Sequence, residues 1–366
     1  MFGPITYCNN CGAGVQISGV YLLNVVKGSL FRVVWIYARY LGVSFLLLGS
    51  VSPAYAEPPQ SNTVDKAVTK VEDLQSKASE LVLKAASRLD SFFFSDRYQA
   101  WEDNKTNIRL RLNADSIGNN GTHASVEARF RIVLPGADGR FSLVGNDEDD
   151  DGLDSTSNDF TDESSVAIRY IGVQRENWGT TYDLGLRVRD SKVSTFLRGN
   201  VRRVYALGEH WAGRSENRFY WYTDTGFRND ARQYFERRLS KDLFFRSRSR
   251  LQWFEEEDGI FPEQRFTLYQ RLDGKSALAY EALAEIIPAS RTPFKQSNII
   301  NSSNRYNHAQ LRLRYRRNVK WPWFFVEVWP TVALVEERDY ELTKAIRLRF
   351  EVVFGNVPKN ALKLDE

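Results

Sequence analysis

Cysteine, methionine and histidine are scarce in this 366-residue chain, numbering two, one and three. Cys8 and Cys11 form "CNNC", the spacing of a redox or zinc pair, but no second pair follows and both lie ahead of an export segment. Everything after them is cysteine-free, which excludes a disulfide framework in a compartment that permits one. Long apolar runs are missing too. Mean hydropathy is −0.44, and the run from Leu41 to Gly49 is too short for a helix to cross a bilayer. A formal net charge of +4 offers no strong basic excess, so nucleic acid is not an expected partner. After Trp101 helical periodicity is absent as well.

What the chain does have begins with a targeting signal. Lys27, Arg32 and Arg39 precede the apolar "YLGVSFLLLG", followed by small residues at Ala54 and Ala56. This predicts a signal peptide over 1–56, cut after Ala56. The region ahead of the apolar run is long, and a start downstream of Met1 is one explanation. Three of the 50 basic residues and none of the 46 acidic ones lie in 1–56, so the remainder carries 47 against 46, or +1.

Residues 57–104 read as a periplasmic linker, "EPPQSN", and an amphipathic α-helix over 63–89. Val64, Val68, Val71, Leu74, Ala78, Leu81, Ala85 and Leu89 recur every three or four positions. Such a helix is a tether, a surface for a periplasmic partner, or a support against its own domain. Aromatic residues make up 13% of the chain, and "SFFFSDRYQAW" gathers several of them, as a membrane interface favours.

From Lys105 onward the period is two. In "LRLRYRR" (311–317) and "LFFRSRSRLQW" (243–253) apolar or small residues alternate with arginine, and successive strand side chains point to opposite faces. The same alternation runs through "NIRLRLN", "ASVEARFRIVL", "YDLGLRVRD", "QRFTLYQRL" and "AIRLRFEVVF", each near the 9–11 residues a tilted strand needs to cross a bilayer. Tight connections at 239–242, 272–275 and 317–322 alternate with longer polar ones at 254–263, 287–304 and 336–341. Outer-membrane barrels show that asymmetry, and a soluble sandwich has no reason for it.

The expected fold is therefore all-β: a transmembrane antiparallel up-and-down β-barrel over 105–355 with an N-terminal α-helix and a tail at 356–366. Candidate strands lie near 106–113, 123–134, 139–145, 165–174, 181–189, 195–206, 217–224, 230–239, 243–254, 264–271, 276–286, 306–316, 323–335 and 345–354. That makes about fourteen, or twelve should "GRFSLVG" not be a strand, with both ends periplasmic.

The last strand, "AIRLRFEVVF", resembles the C-terminal recognition strand of bacterial outer-membrane barrels, although "GNVPKNALKLDE" follows its terminal Phe354. "RFYWYTDTGF", "TLYQRLDGKSALAYEA" and "LRFEVVFG" are similar to stretches of an uncharacterised group of proteobacterial barrel proteins. That resemblance implies a fold and the outer membrane of a Gram-negative bacterium, but no activity. Outer-membrane lipid, lipopolysaccharide and the barrel assembly machinery are then the expected partners.

The strongest candidate site is the arginine row. Arg109 and Arg111, Arg129 and Arg131, Arg187 and Arg189, Arg246, Arg248 and Arg250, Arg312, Arg314 and Arg316, and Arg347 and Arg349 all alternate with apolar or small residues. On a lipid face near the midplane each would cost roughly 2–4 kcal/mol, so they are expected to line the lumen. Rings of arginine favour anions in a pore. Alternatively Glu127, Asp183, Glu281, Glu285, Glu327 and Glu351, on the same face, neutralise them in a closed barrel with a structural or interaction role. The leading expectation is a passive channel for small anionic solutes.

Two further signals carry less. "NDEDDDGLDSTSNDFTDE" (146–163), on an outer loop, contains Asp147, Asp149, Asp151 and Gly152 in the order that opens a calcium loop, with Asn158 where the closing glutamate would stand. No cofactor is otherwise expected. "THAS" sets His123 and Ser125 on one strand face with Glu127, similar to the His-x-Ser pair of outer-membrane lipid A deacylases, but the residues around that pair in those enzymes are missing here. A lipid hydrolase is a third alternative; the expectation is not an enzyme.

Overall fold

The structure is a computed structural model and describes residues 106–118, 121–134, 139–146, 164–175, 177–189, 191–208, 210–288 and 305–355. The chain divides into 1–53 and 54–366, and every described residue belongs to the second unit. The expected signal peptide, the helix over 63–89, Asp147, Asp149 and Asp151, and the tail at 356–366 lie outside the described residues.

Fourteen strands follow one another: β1 (Asn107–Ile117), β2 (Thr122–Val133), β3 (Phe141–Gly145), β4 (Ser164–Arg175), β5 (Trp178–Arg189), β6 (Lys192–Leu207), β7 (Trp211–Tyr222), β8 (Gly226–Arg238), β9 (Leu243–Phe254), β10 (Ile260–Arg271), β11 (Ser276–Pro288), β12 (Arg305–Asn318), β13 (Phe324–Val335) and β14 (Leu342–Gly355). Each pairs with the next, and β1 pairs with β14, closing the sheet into a barrel. At the closure Asn107 stands opposite Gly355 and Ile117 opposite Ala345, so both chain ends of the barrel leave at one end. A closed sheet has no edge and satisfies every backbone ladder internally.

The period of two becomes an alternation of burial. In β9 Phe244, Arg246, Arg248 and Arg250 are buried, whereas the intervening Phe245, Ser247 and Ser249 are not. Outward residues of β1, β2 and β5 include Leu110, Leu112, Val126, Leu184 and Leu186, all exposed. This inverts a soluble core, because the apolar row faces out. Exposed tryptophans and phenylalanines border the apolar band at both ends: Trp178, Trp321 and Trp323 near the terminal end, and Trp221, Phe227 and Trp253 near the other. At the terminal end cations sit over these rings, with Arg203 5.3 Å from Trp178, Arg237 5.4 Å from Trp211 and Lys320 4.6 Å from Trp321.

Several strand limits differ from those expected. β7 begins at Trp211 and β8 at Gly226, with a tight turn at 223–225 between them. β10 starts at Ile260, inside the stretch 254–263 that reads as a loop; Pro262 and the neighbouring acidic residues disguise it. The long-and-short alternation of connections holds best toward the C-terminal half, since 223–225 is as tight as the turns at the terminal end. "GRFSLVG" does form a strand, β3, but a short one.

Proline leaves a mark in β13. Pairing with β12 lapses between Arg312↔Thr331 and Tyr315↔Val328, around Pro330, which has no N–H to give. On its other side Pro330 stays opposite Ile346 of β14.

Candidate functional site

The inner wall of the barrel is built of arginine, carboxylate and aromatic residues. Arg109, Arg111, Arg131, Arg187, Arg246, Arg248, Arg250, Arg312, Arg314, Arg316 and Arg349 are buried on it, and Arg129, Arg189 and Arg347 are half-buried. Taking a guanidinium out of water costs several kcal/mol unless a carboxylate and further hydrogen bonds replace the lost solvent. The strand register supplies those partners.

The densest cluster crosses the closure of the barrel. Glu351 of β14 accepts from Arg109 at 3.3 Å and Arg111 at 2.7 Å on β1, and from Arg316 at 2.7 Å on β12. Arg316 also pairs with Glu327 on β13, which Arg314 meets at 2.8 Å. The Trp329 indole donates to the same carboxylate at 2.7 Å. Beside it Arg349 donates to Asn113 at 2.7 Å, and Arg347 pairs with Asp115.

A second cluster spans β7 to β10. Asp230 is held by Arg232 and Arg250, each at 2.7 Å. Glu263 takes Arg248, Arg250 and Arg265. Glu236 is shared by Arg246 at 2.8 Å and Arg214 at 3.6 Å, and Glu216 by Arg214 and Arg218. On β4 to β6, Asp183 accepts from Arg169 at 2.8 Å and Arg198 at 2.6 Å. Each of these carboxylates is clasped by two or three arginines, so arginines outnumber carboxylates on the described inner wall.

Aromatic rings stack among the guanidinium groups. Arg187 lies 3.8 Å from the Tyr222 ring centre, Arg214 3.8 Å from Tyr234 and Arg316 4.0 Å from Phe325. Trp329 is ringed by Arg349 at 4.4 Å, Arg314 at 4.7 Å, Arg312 at 5.1 Å and Arg347 at 5.3 Å. Arginine tolerates this because its planar, weakly hydrated charge is drawn to a ring face.

Near the end away from the termini, Arg187 reaches Asp224 in the turn after β7, at 2.7 and 2.9 Å. Partial burial pushes the Asp224 carboxyl up, but the hydrogen bond and charge of Arg187 outweigh it and hold the group below its ordinary 3.8.

The other sequence-derived candidates fall as follows. Glu127 is engaged by Arg129 and by Arg111 at 3.6 Å, and Ser125 accepts from Asn113 at 3.3 Å. Both residues beside His123 on this row are thus committed to inner-wall contacts. Glu281 faces Arg312 at 3.7 Å, and Glu285 meets His308 at 2.7 Å. Sequence reasoning missed Arg198, Arg202, Arg214, Arg218, Arg228, Arg232 and Arg265, and with them Glu216, Asp230, Glu236 and Glu263. It also missed the inward rings Tyr220, Tyr222, Tyr234, Phe244, Tyr269 and Trp329.

No protein-family model matches the chain, and no curated protein does. Among solved structures it is similar to the NanC porin, at 9% identity over 66% of this chain and 98% of that one, with a TM-score of 0.34. It is also similar to the outer membrane protein OprD from Pseudomonas aeruginosa, at 7% identity over 70% and 95%, TM-score 0.40. A third is the KdgM porin in complex with disordered oligogalacturonate, at 9% identity over 67% and 98%, TM-score 0.32. These likenesses are shallow, and no residue role passes from those proteins to this chain.

Proposed function

We propose that the chain is an outer-membrane barrel of a Gram-negative bacterium that passes small anionic solutes through an arginine-rich lumen. An exterior of exposed Leu110, Leu112, Val126, Leu184 and Leu186, edged by tryptophan at both ends, suits lipid and not water. Surrounding partners would be outer-membrane lipid and lipopolysaccharide, with insertion by the barrel assembly machinery. The observation that carries the anionic preference is the sharing of single inner carboxylates by two or three arginines, as at Glu351 and Glu263. A wall with that surplus keeps a positive potential, which draws in anions and repels cations. The inner wall is given no catalytic role.

A specific observation favours a second reading, a sealed barrel with a structural or interaction role. Arg314, Arg316, Arg349, Glu327 and Glu351 are almost completely buried, as filling would be.

Conductance and reversal potential across a planar bilayer under a salt gradient decide between them. Steady current with a reversal potential of anion sign, reduced by Arg248→Glu or Arg314→Glu, is the expected result. Silence from a folded barrel would establish the sealed form.

A further inference from the structure

The apolar exterior is interrupted over β7 to β10. Near the middle of these strands the outward row reads Ser215, Gln233, Ser249 and Gln264, in register from strand to strand, with Gln233 itself buried. Ser215 donates to Gln233 at 2.6 Å, Ser249 donates to Gln264 at 2.6 Å, and Gln264 donates to Ser247 at 2.9 Å. Toward the end away from the termini, Asn229 donates to Asn217 at 2.7 Å. Their Asn217 Nδ2 and Asn229 Oδ1 have no partner among the described residues.

Aromatic rings frame the patch and reach into it. Phe219, Trp221, Phe227 and Trp253 stand on one side of it and Trp211, Phe245 and Phe266 on the other, while the Tyr205 ring covers Gly213 with its hydroxyl 3.2 Å from Ser215, and Phe235 stands between Gly213 and Ser247. No Lys, Arg, Asp or Glu points outward within it. Across the barrel, β1, β2 and β5 present leucine and valine at corresponding positions.

Gln233 also donates to the Tyr234 carbonyl at 2.9 Å and Gln264 has both ends on serines, so the capacity left unused against acyl chains, which offer neither donor nor acceptor, is that of Asn217 and Asn229. An uncharged amide and hydroxyl surface is also its own complement, since every group on it can both donate and accept except where already engaged. A twofold axis through the patch would set Asn217 and Asn229 of one copy against the same pair of another. We propose that this face of β7 to β10 is the contact between two copies of the chain in the membrane. This rests on the membrane-spanning part of the reading above and not on conduction.

The test uses the full chain carrying Cys8→Ser and Cys11→Ser, which leaves no other thiol. Ser215→Cys, Ser249→Cys and Val126→Cys are introduced one at a time, and urea-washed membranes are treated with copper phenanthroline. Ser249→Cys and Ser215→Cys are expected to give a reducible species of twice the chain mass, while Val126→Cys stays single. Without thiols, the purified protein is expected to have the mass of two chains by light scattering in mild detergent. Asn217→Leu combined with Asn229→Leu should bring it to one, with the compact unboiled gel mobility retained. Cross-linking at the patch no greater than at Val126→Cys, or an adduct of any other mass, overturns the contact alone. Loss of the chain from urea-washed membranes overturns the membrane reading and the contact with it.

Discussion

Glu327 has no exposed surface and is held by Arg314, Arg316 and the Trp329 indole. Removing its charge takes from Arg314 the carboxylate it meets at 2.8 Å and leaves Arg316 with Glu351 alone, and breaking a buried pair in this way typically costs about 3–5 kcal/mol. Glu327→Gln is therefore expected to lower the midpoint of heat-induced mobility loss sharply. Glu127→Gln should do much less, because that side chain keeps a quarter of its surface in contact with solvent. Equal shifts for the two would show that the depth of the network does not set its worth. Gly185 makes a packing test of the same wall: a Cβ there would meet the Val166 carbonyl at 2.4 Å and the Ala167 Cβ at 2.6 Å. Gly185→Leu should destabilise by at least the ~1–3 kcal/mol usual for overpacking. Asp224 offers a pH test. Arg187 holds its folded value below 3.8, so its contribution is present above that value and is lost as pH falls through the lower, folded one. The turn at 223–225 should then loosen under acid, seen as faster proteolysis there, and Asp224→Asn should show that looseness already at neutral pH.

Among the elements, β3 is the weakest. It joins β2 only from Phe130↔Gly145 to Val133↔Ser142, whereas β11 and β12 are paired from Ser276↔Arg317 to Pro288↔Arg305. Amides of 141–145 should exchange with deuterium well before those of β12, and equal protection would contradict the pairing seen here. The same unevenness explains what could be read from the sequence. β1, β9 and β12 set arginine against leucine, phenylalanine or serine, so their faces separate on inspection. In β7 and β8 the outward row holds Ser215, Asn217, Asn229 and Gln233, both faces are polar, and their inward arginines went unrecognised. The clusters themselves depend on register. Nothing in the linear order announces that Arg109 and Glu351, at opposite ends of the barrel sequence, share an ion pair, because closure alone makes them neighbours. The inward aromatics escaped notice for a different reason: rings on the polar row break the simple rule that apolar means outward.

For the whole molecule, burial and surplus respond to salt in opposite ways. The Debye length shrinks to about 3 Å at 1 M salt, which screens a lumen potential but scarcely reaches pairs already in contact and out of water. Raising KCl from low to molar concentration should therefore erode anion selectivity while leaving the unfolding midpoint nearly unchanged. A midpoint that fell steeply with salt would mean that the pairs are solvated. The shared clasps carry a last consequence for how such a chain tolerates mutation. Where three arginines converge on Glu263, or on Glu351, loss of one leaves the acid still neutralised by two. Loss of the acid leaves all three cations facing one another. Natural variants should therefore drift freely at single arginines, whereas the rarer carboxylates stay put, so the minority charge is the one inheritance must guard.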